Sequence, residues 1–183
     1  LLPALDRLLA AAELAARALE AVIVGTGPGS YTGLRVGCAS ALGLVRGTGA
    51  LLCGVPSVEA LVFDALSEGG EAGVLIDARA GEVYFAHYRR TRGDVEAVAA
   101  PRVARRGELE RALPARLALF ADAAALAAAA LEERAGDVLG PPLPRADAVL
   151  RLGLLRLAQH GPHAPHEVEP LYLRAFAAKI RRR

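Results

Sequence analysis

Methionine and tryptophan are absent from this 183-residue chain, and only four tyrosines and four phenylalanines are present. So few rings leave no evident stacking platform for splayed RNA bases. A net charge of +2 gives no strong overall field for recruiting nucleic acid, and the basic charge is almost all arginine, with Lys179 the single lysine. Two cysteines, Cys38 and Cys53, are too few for a disulfide framework. Each lies inside an apolar element, so both read as reduced, buried small hydrophobes of a cytosolic protein. The longest apolar run, Leu117 to Leu131, is mostly alanine and is broken by Asp122. It falls short of the roughly 20 residues that cross a bilayer. No leader pattern is legible, and a cytoplasmic protein without membrane contact is expected.

Glycine, by contrast, is concentrated. Gly25-Thr26-Gly27-Pro28-Gly29-Ser30-Tyr31-Thr32-Gly33-Leu34-Arg35-Val36-Gly37 follows the apolar run Ala21 to Val24 and opens onto a helix over 31–45. Glycine-rich strand-to-helix turns commonly cradle phosphate, because the first helical N–H groups lack internal partners. This one departs from the known phosphate loops. Leu34 and Arg35 follow Gly33 where a Walker loop needs Lys and Ser or Thr. The dinucleotide fingerprint would need glycine at Ser30 or Thr32, and Pro28 removes a backbone donor. The loop reads as a tight turn. Beyond it, Gly33, Gly37 and Ala41 recur at four-residue spacing and make one ridge of nearly bare backbone. Glycine in a helix costs roughly 0.5–1 kcal/mol against alanine, so close approach of another backbone is expected. That backbone is either the chain's own sheet or a partner's helix.

Apolar periodicity predicts a first helix from Leu2 to about Leu19, a strand at 50–54, and a helix from Ser57, as N-cap, to about Leu66. Ser67-Glu68-Gly69-Gly70 reads as a boundary between an N-terminal lobe, 1–68, and a C-terminal lobe, 69–183. The second lobe opens with strands at 74–77, 82–89 and 95–98, turning at Ala80-Gly81 and Arg92-Gly93-Asp94. Helices are expected near 107–113, 122–134 and 145–159, with a short strand at Leu117–Phe120. Strands alternating with helices indicate an α/β sheet.

Three constellations invite chemistry. His160, His163 and His166 suggest a metal, yet Gly161, Pro162 and Pro165 place them on a loop rather than on one helical face, and a solvated loop is expected. Asp77, Arg79 and Glu82 surround a hairpin and suit acid–base work or a structural ion pair closing the turn; the ion pair is expected. Ser30, Ser40 and Ser57 lack any His–Asp context. No catalytic residue and no metal site are assigned. The run Lys179-Ile180-Arg181-Arg182-Arg183 could meet RNA phosphates or simply be solvated.

The stretch from Gly25 to Gly37 resembles the signature of the bacterial TsaB (YeaZ) family. Three further stretches agree in order and spacing: Gly54 to Leu61, Asp77 to Tyr84, and Glu169-Pro170-Leu171-Tyr172-Leu173-Arg174. The motif residues matched include Gly27, Pro28, Gly29, Ser30, Thr32, Arg35, Asp77, Arg79, Gly81, Glu82, Tyr172 and Arg174. The resemblance implies a duplicated actin/Hsp70-like (ASKHA, RNase H-like) α/β fold in two lobes. It also implies a chain lacking the first strands of that fold, an N-terminally truncated form in which 22–24 and 51–54 keep open edges. By the same resemblance the protein is a non-catalytic subunit supporting TsaD, which forms threonylcarbamoyladenosine beside the tRNA anticodon. A TsaE-type ATPase completes the expected partners, with tRNA met only within the complex and self-association sharing the same surface. That surface is expected to comprise Leu5, Leu9, Gly33, Leu34, Gly37, Cys38, Ala41 and Leu42. No cofactor is expected: nucleotide-binding relatives carry an Asp-x-Gly turn where Gly81 here comes two positions late, and the helical His-x-x-x-His metal motif of TsaD is missing. The alternative is an enzyme in its own right, a phosphotransferase or metallopeptidase-like protein of the ASKHA class.

Overall fold

A computed structural model describes residues 1–110 and 112–172. Arg174 and the basic run 179–183 therefore lie outside the described residues. Two sheets organise the chain. The first is a parallel pair, β1 (Ala21–Gly27) and β2 (Leu51–Pro56). The second has five strands in the order β5-β4-β3-β6-β7, where β3 is Glu71–Arg79, β4 Glu82–Arg90, β5 Val95–Arg105, β6 Ala118–Phe120 and β7 Val138–Gly140. β3, β4 and β5 run antiparallel as a meander, and β6 and β7 join parallel to β3.

Five helices cover these sheets among the described residues: α1 (Leu2–Ala11), α2 (Tyr31–Thr48), α3 (Ser57–Ala65), α4 (Ala123–Ala129) and α5 (Ala146–His160). Side chains alternate faces along a strand, and each sheet is accordingly covered twice. Leu52 points to α2, where Ala41, Leu42, Val45 and the late residue Val168 close around it. Cys53 and Val55 point the other way, into a cluster with Ala60 of α3 and Ala148 and Leu152 of α5. On the second sheet, Val74, Tyr84, Ala86 and Tyr88 pack against Val58 and Val62 of α3. Leu75, Val83, Phe85 and Leu119 face α4 and the loops around Leu109 and Leu117. The layer of α3 and α5 thus lies between the sheets. It is pinned there by Arg156, whose guanidinium donates to Glu59 at 2.7 Å and to Asp94 of the β4–β5 turn at 3.0 Å. With both partner side chains and its own largely enclosed, this triad is an internal staple.

Several boundaries differ from the periodic reading. α1 stops at Ala11 and not near Leu19, because Glu13 takes a left-handed conformation and a 3₁₀ turn at Ala16–Ala18 follows. Ser57 is the first residue of α3 rather than its cap; Pro56 occupies the cap position. Residues 107–110 and 112–113 form turns where a helix was expected: Gly107 is left-handed, and a single four-residue bond, Leu113 N–H to Leu109 O, stands among three-residue ones such as Glu108 N–H to Arg105 O. β5 runs to Arg105, well past the expected 98, and β7 carries no apolar alternation that could have announced it.

Candidate functional site

Each glycine of the signature loop that is tightly enclosed has a packing reason. Gly27 sits at φ +109°, and a methyl group there would come 2.8 Å from Leu34 Cδ1; one at Gly25 would come 2.6 Å from Ser57 Oγ. Ser30 caps α2, its hydroxyl accepting from Gly33 N–H at 3.3 Å. Gly29 and Thr32 lie on the surface. The loop is a sharp turn that lets the end of β1 approach the starts of both α2 and α3, which agrees with its departure from phosphate-binding patterns.

The helix that follows has two unlike faces. Cys38 and Ala41 are turned inward and buried, and burial pushes the Cys38 thiol up. Cys53 is likewise buried and free. Leu34 and Leu42 are half-buried against the chain itself. Gly37, Gly43 and Gly47 have nothing near their missing side chains, and Gly33 meets only its own cap residue Ser30. The ridge foreseen from sequence is therefore split: Ala41 packs on the chain's own sheet, and the glycines face outward. Beside them lies α1, which contains no buried residue at all. Leu2 and Leu8 are exposed and Leu5 and Leu9 only half-covered. Between the two helices runs a groove of about 590 Å³ whose walls include Leu2, Ala16, Ala39, Gly43, Leu44 and Gly47. Arg17 gives it one charge, and Ser40 and Thr48 are its other polar walls. Mostly apolar walls floored by glycine suit a packed helix better than a polar substrate.

The other sequence candidates have structural roles. Asp77 Oδ1 accepts from Arg79 N–H at 2.8 Å, tying the hairpin's own backbone. Glu82 faces Arg105 across the β4–β5 pair at 3.8 Å, so the expected ion pair does not run through Arg79. The histidine loop is not simply solvated. His163 N–H donates to Leu52 O at 2.8 Å, and its Nδ1 accepts from Gly54 N–H at 3.0 Å. One residue thus fills, for two groups, the outer edge of β2 that had been expected to stay open. Glu167 accepts from Ala164 N–H rather than completing a metal site, and no metal-binding cluster occurs among the described residues. β1 has no strand on its other side among the described residues.

Sequence reasoning missed two arrangements. Tyr84 and Tyr88 bring their hydroxyls within 3.2 Å of each other in the interior beside Glu59. Burial raises the Tyr84 hydroxyl to about 12 and Tyr88 further, and it also pushes Glu59 up against the pull of Arg156. Tyr31 and Tyr172 meet on the surface at 5.1 Å between ring centres, so the chain does carry an aromatic pair. Only the fold brings residues as distant as Tyr31 and Tyr172 together.

A family model described as TsaD, tRNA N6-adenosine threonylcarbamoyltransferase, matches residues 1–129. The tRNA threonylcarbamoyladenosine biosynthesis protein TsaB of Escherichia coli is 37% identical over 92 residues, 49% of this chain and 40% of that protein. Its Bacillus subtilis namesake is 34% identical over 97 residues, 53% of this chain and 42% of that protein. A crystal structure from Pseudomonas aeruginosa, of a protein with similarity to peptidase YEAZ, superposes with a TM-score of 0.77 at 25% identity over 94% of this chain and 82% of that one. The chain belongs to the TsaB/YeaZ family. Its motifs and its ASKHA-like α/β fold agree with that membership. The matched stretch is under half the length of either TsaB relative. No helix among the described residues is long and apolar enough to cross a membrane.

Proposed function

We propose that this TsaB/YeaZ family chain is a non-catalytic cytoplasmic subunit that binds a TsaD-type threonylcarbamoyltransferase and supports formation of threonylcarbamoyladenosine next to the tRNA anticodon, with a TsaE-type ATPase completing the assembly. The observation that carries this reading is the unpartnered face formed by α1 and the glycine flank of α2. A helix of ten residues in which none of the four spaced leucines is fully buried, beside a flank of bare backbone, gains its stability from something outside the chain. Small residues at that flank let a second helix approach closely. The tight packing of Gly25 and Gly27 and the engagement of Asp77 in its own turn favour a supporting rather than a phosphotransferase role. In this reading the chain has two lobes, divided near residue 68, with α5 returning to cover the first.

Gly37→Leu tests the reading. Open space around Gly37 and the better helix propensity of leucine leave the fold unharmed, so the melting temperature should hold or rise slightly. A partner helix would be overpacked by about 1–3 kcal/mol, weakening affinity for a TsaD-type protein roughly ten- to a hundredfold. Titration calorimetry with normal melting and unchanged affinity would remove this face from the interface.

A further inference from the structure

The groove between α1 and α2 is apolar over most of its walls, so its few polar groups decide what can fill it. Thr48 is already committed: its hydroxyl donates to Leu44 O at 2.7 Å and accepts from Ala50 N–H at 3.2 Å. Arg17 and Ser40 are the polar walls left open to an occupant. Arg17 stands exposed on the 3₁₀ turn Ala16–Ala18, which is closed by Ala18 N–H donating to Ala15 O at 2.8 Å. Among the described residues every ion pair lies at Glu59 or beyond. Arg17 thus holds no acid, whereas Arg151 and Arg156 hold two each. Gly43 and Gly47, four residues apart on α2, have nothing within 4 Å of a missing side chain, so a second backbone can come close.

An occupant of the groove would take the Arg17 guanidinium out of water. A buried charge left uncompensated is expensive. A carboxylate opposite it would match the planar fork with two parallel hydrogen bonds. We propose that Arg17 selects the occupant: a helix of a different protein that sets small side chains on Gly43 and Gly47 and an aspartate or glutamate against Arg17. A second copy of this chain is the poorer fit. Its α2 carries Arg35 and Arg46 and no acid, and the single acid of α1, Asp6, is followed directly by Arg7. Seated on itself, this surface would bring cation toward cation, which suppresses pairing. The inference deepens the partner role proposed above and rests on it for naming that partner as TsaD-type; the charge match does not.

The full chain is titrated by calorimetry with a TsaD-type protein and with two helical peptides rich in alanine and leucine. The peptides, about 20 residues long so that a helix holds in water, differ only in carrying Glu or Lys at one position. Because Arg17 has no partner within the chain, its variants should melt like the wild type. Arg17→Ala should weaken binding of the TsaD-type protein about tenfold, and Arg17→Glu about a hundredfold. Arg17→Lys should recover part of the loss, since the charge stays and the fork does not. The Glu peptide should bind more tightly than the Lys peptide, and Arg17→Ala should abolish the difference. Wild-type affinity in Arg17→Glu would overturn the proposal; if Gly43→Leu still weakened binding, the groove would remain the interface without its selector. Equal binding of the two peptides would overturn it too. So would a dimer of the chain that Gly43→Leu dissolves, with a second copy then the occupant. A Glu preference kept in a chain that binds no TsaD-type protein would instead sink the proposed function alone. A chain that binds none of the probes would lose both.

Discussion

α1 and α5 are both short leucine- and alanine-rich helices, yet they meet opposite fates. α5 buries Ala148, Leu152 and Gly153; it lies so close to β1 that a methyl group at Gly153 would come 2.3 Å from Ile23 Cγ2. α1 buries nothing. Composition does not separate them. What differs is what each meets: α5 drops into a slot between two sheets and is fixed there by an ion triad, whereas α1 lies at the margin beside a helix that offers it glycine. An amphipathic pattern states that a face wants cover, and leaves open whether the cover lies in the same chain.

The contrast can be broken most forcefully at Arg156. Arg156→Ala leaves Glu59 enclosed without its cation, and removing one member of a buried pair costs about 3–5 kcal/mol. Both partner side chains keep some solvent contact, which argues for the lower end. Chemical denaturation should show that destabilisation, and a drop under about 1 kcal/mol, the size of an exposed pair, would mean the staple is ornamental. Next in size, Gly153→Val should cost about 1–3 kcal/mol through overpacking against Ile23, read as a lower denaturation midpoint. The matching change on the open flank, Gly37→Leu, should cost none. Equal effects at the two glycines would erase the distinction between a covered and a waiting face.

The smallest effect concerns pH. Hydrogen bonds from Arg89, then from His87, hold the Glu71 carboxyl below its ordinary value. A depressed carboxylate contributes stability above its unfolded value, and that contribution is lost as pH falls through the folded one. Acid unfolding should therefore include a Glu71 component at and below the ordinary glutamate range. It should disappear in Glu71→Gln, seen as a shallower fall in stability between neutral and acid pH. Because Glu71 is a third exposed, the change should be modest.

Much of the architecture was legible in the chain. The strand, turn and helix over 21–45 announced themselves through an apolar run and a glycine turn, both local signals; the Ser30 cap was seen only in the structure. The hairpin at Ala80-Gly81 was equally plain. Boundaries set by left-handed residues such as Glu13 were not, because nothing in a glutamate announces positive φ. The site divides in the same way. Spacing identified a small-residue ridge on α2, but the fold assigned Ala41 inward and the glycines outward. The histidine loop read as solvated, yet His163 completes the outer edge of β2, since its position there depends on where α5 ends.

Sequence by itself determined the order of strands and helices from β1 to β5, the sharp turn before α2, the reduced cysteines and the family. Those properties reside in neighbouring residues, whose periodicity and turn chemistry act within a few positions of each other. Tertiary structure alone decided that α5 would be buried and α1 left uncovered, that Arg156 would join Glu59 to Asp94, and that Tyr172 would come to rest on Tyr31. Each of these is a contact between distant residues, and its energy depends on what else already occupies the space.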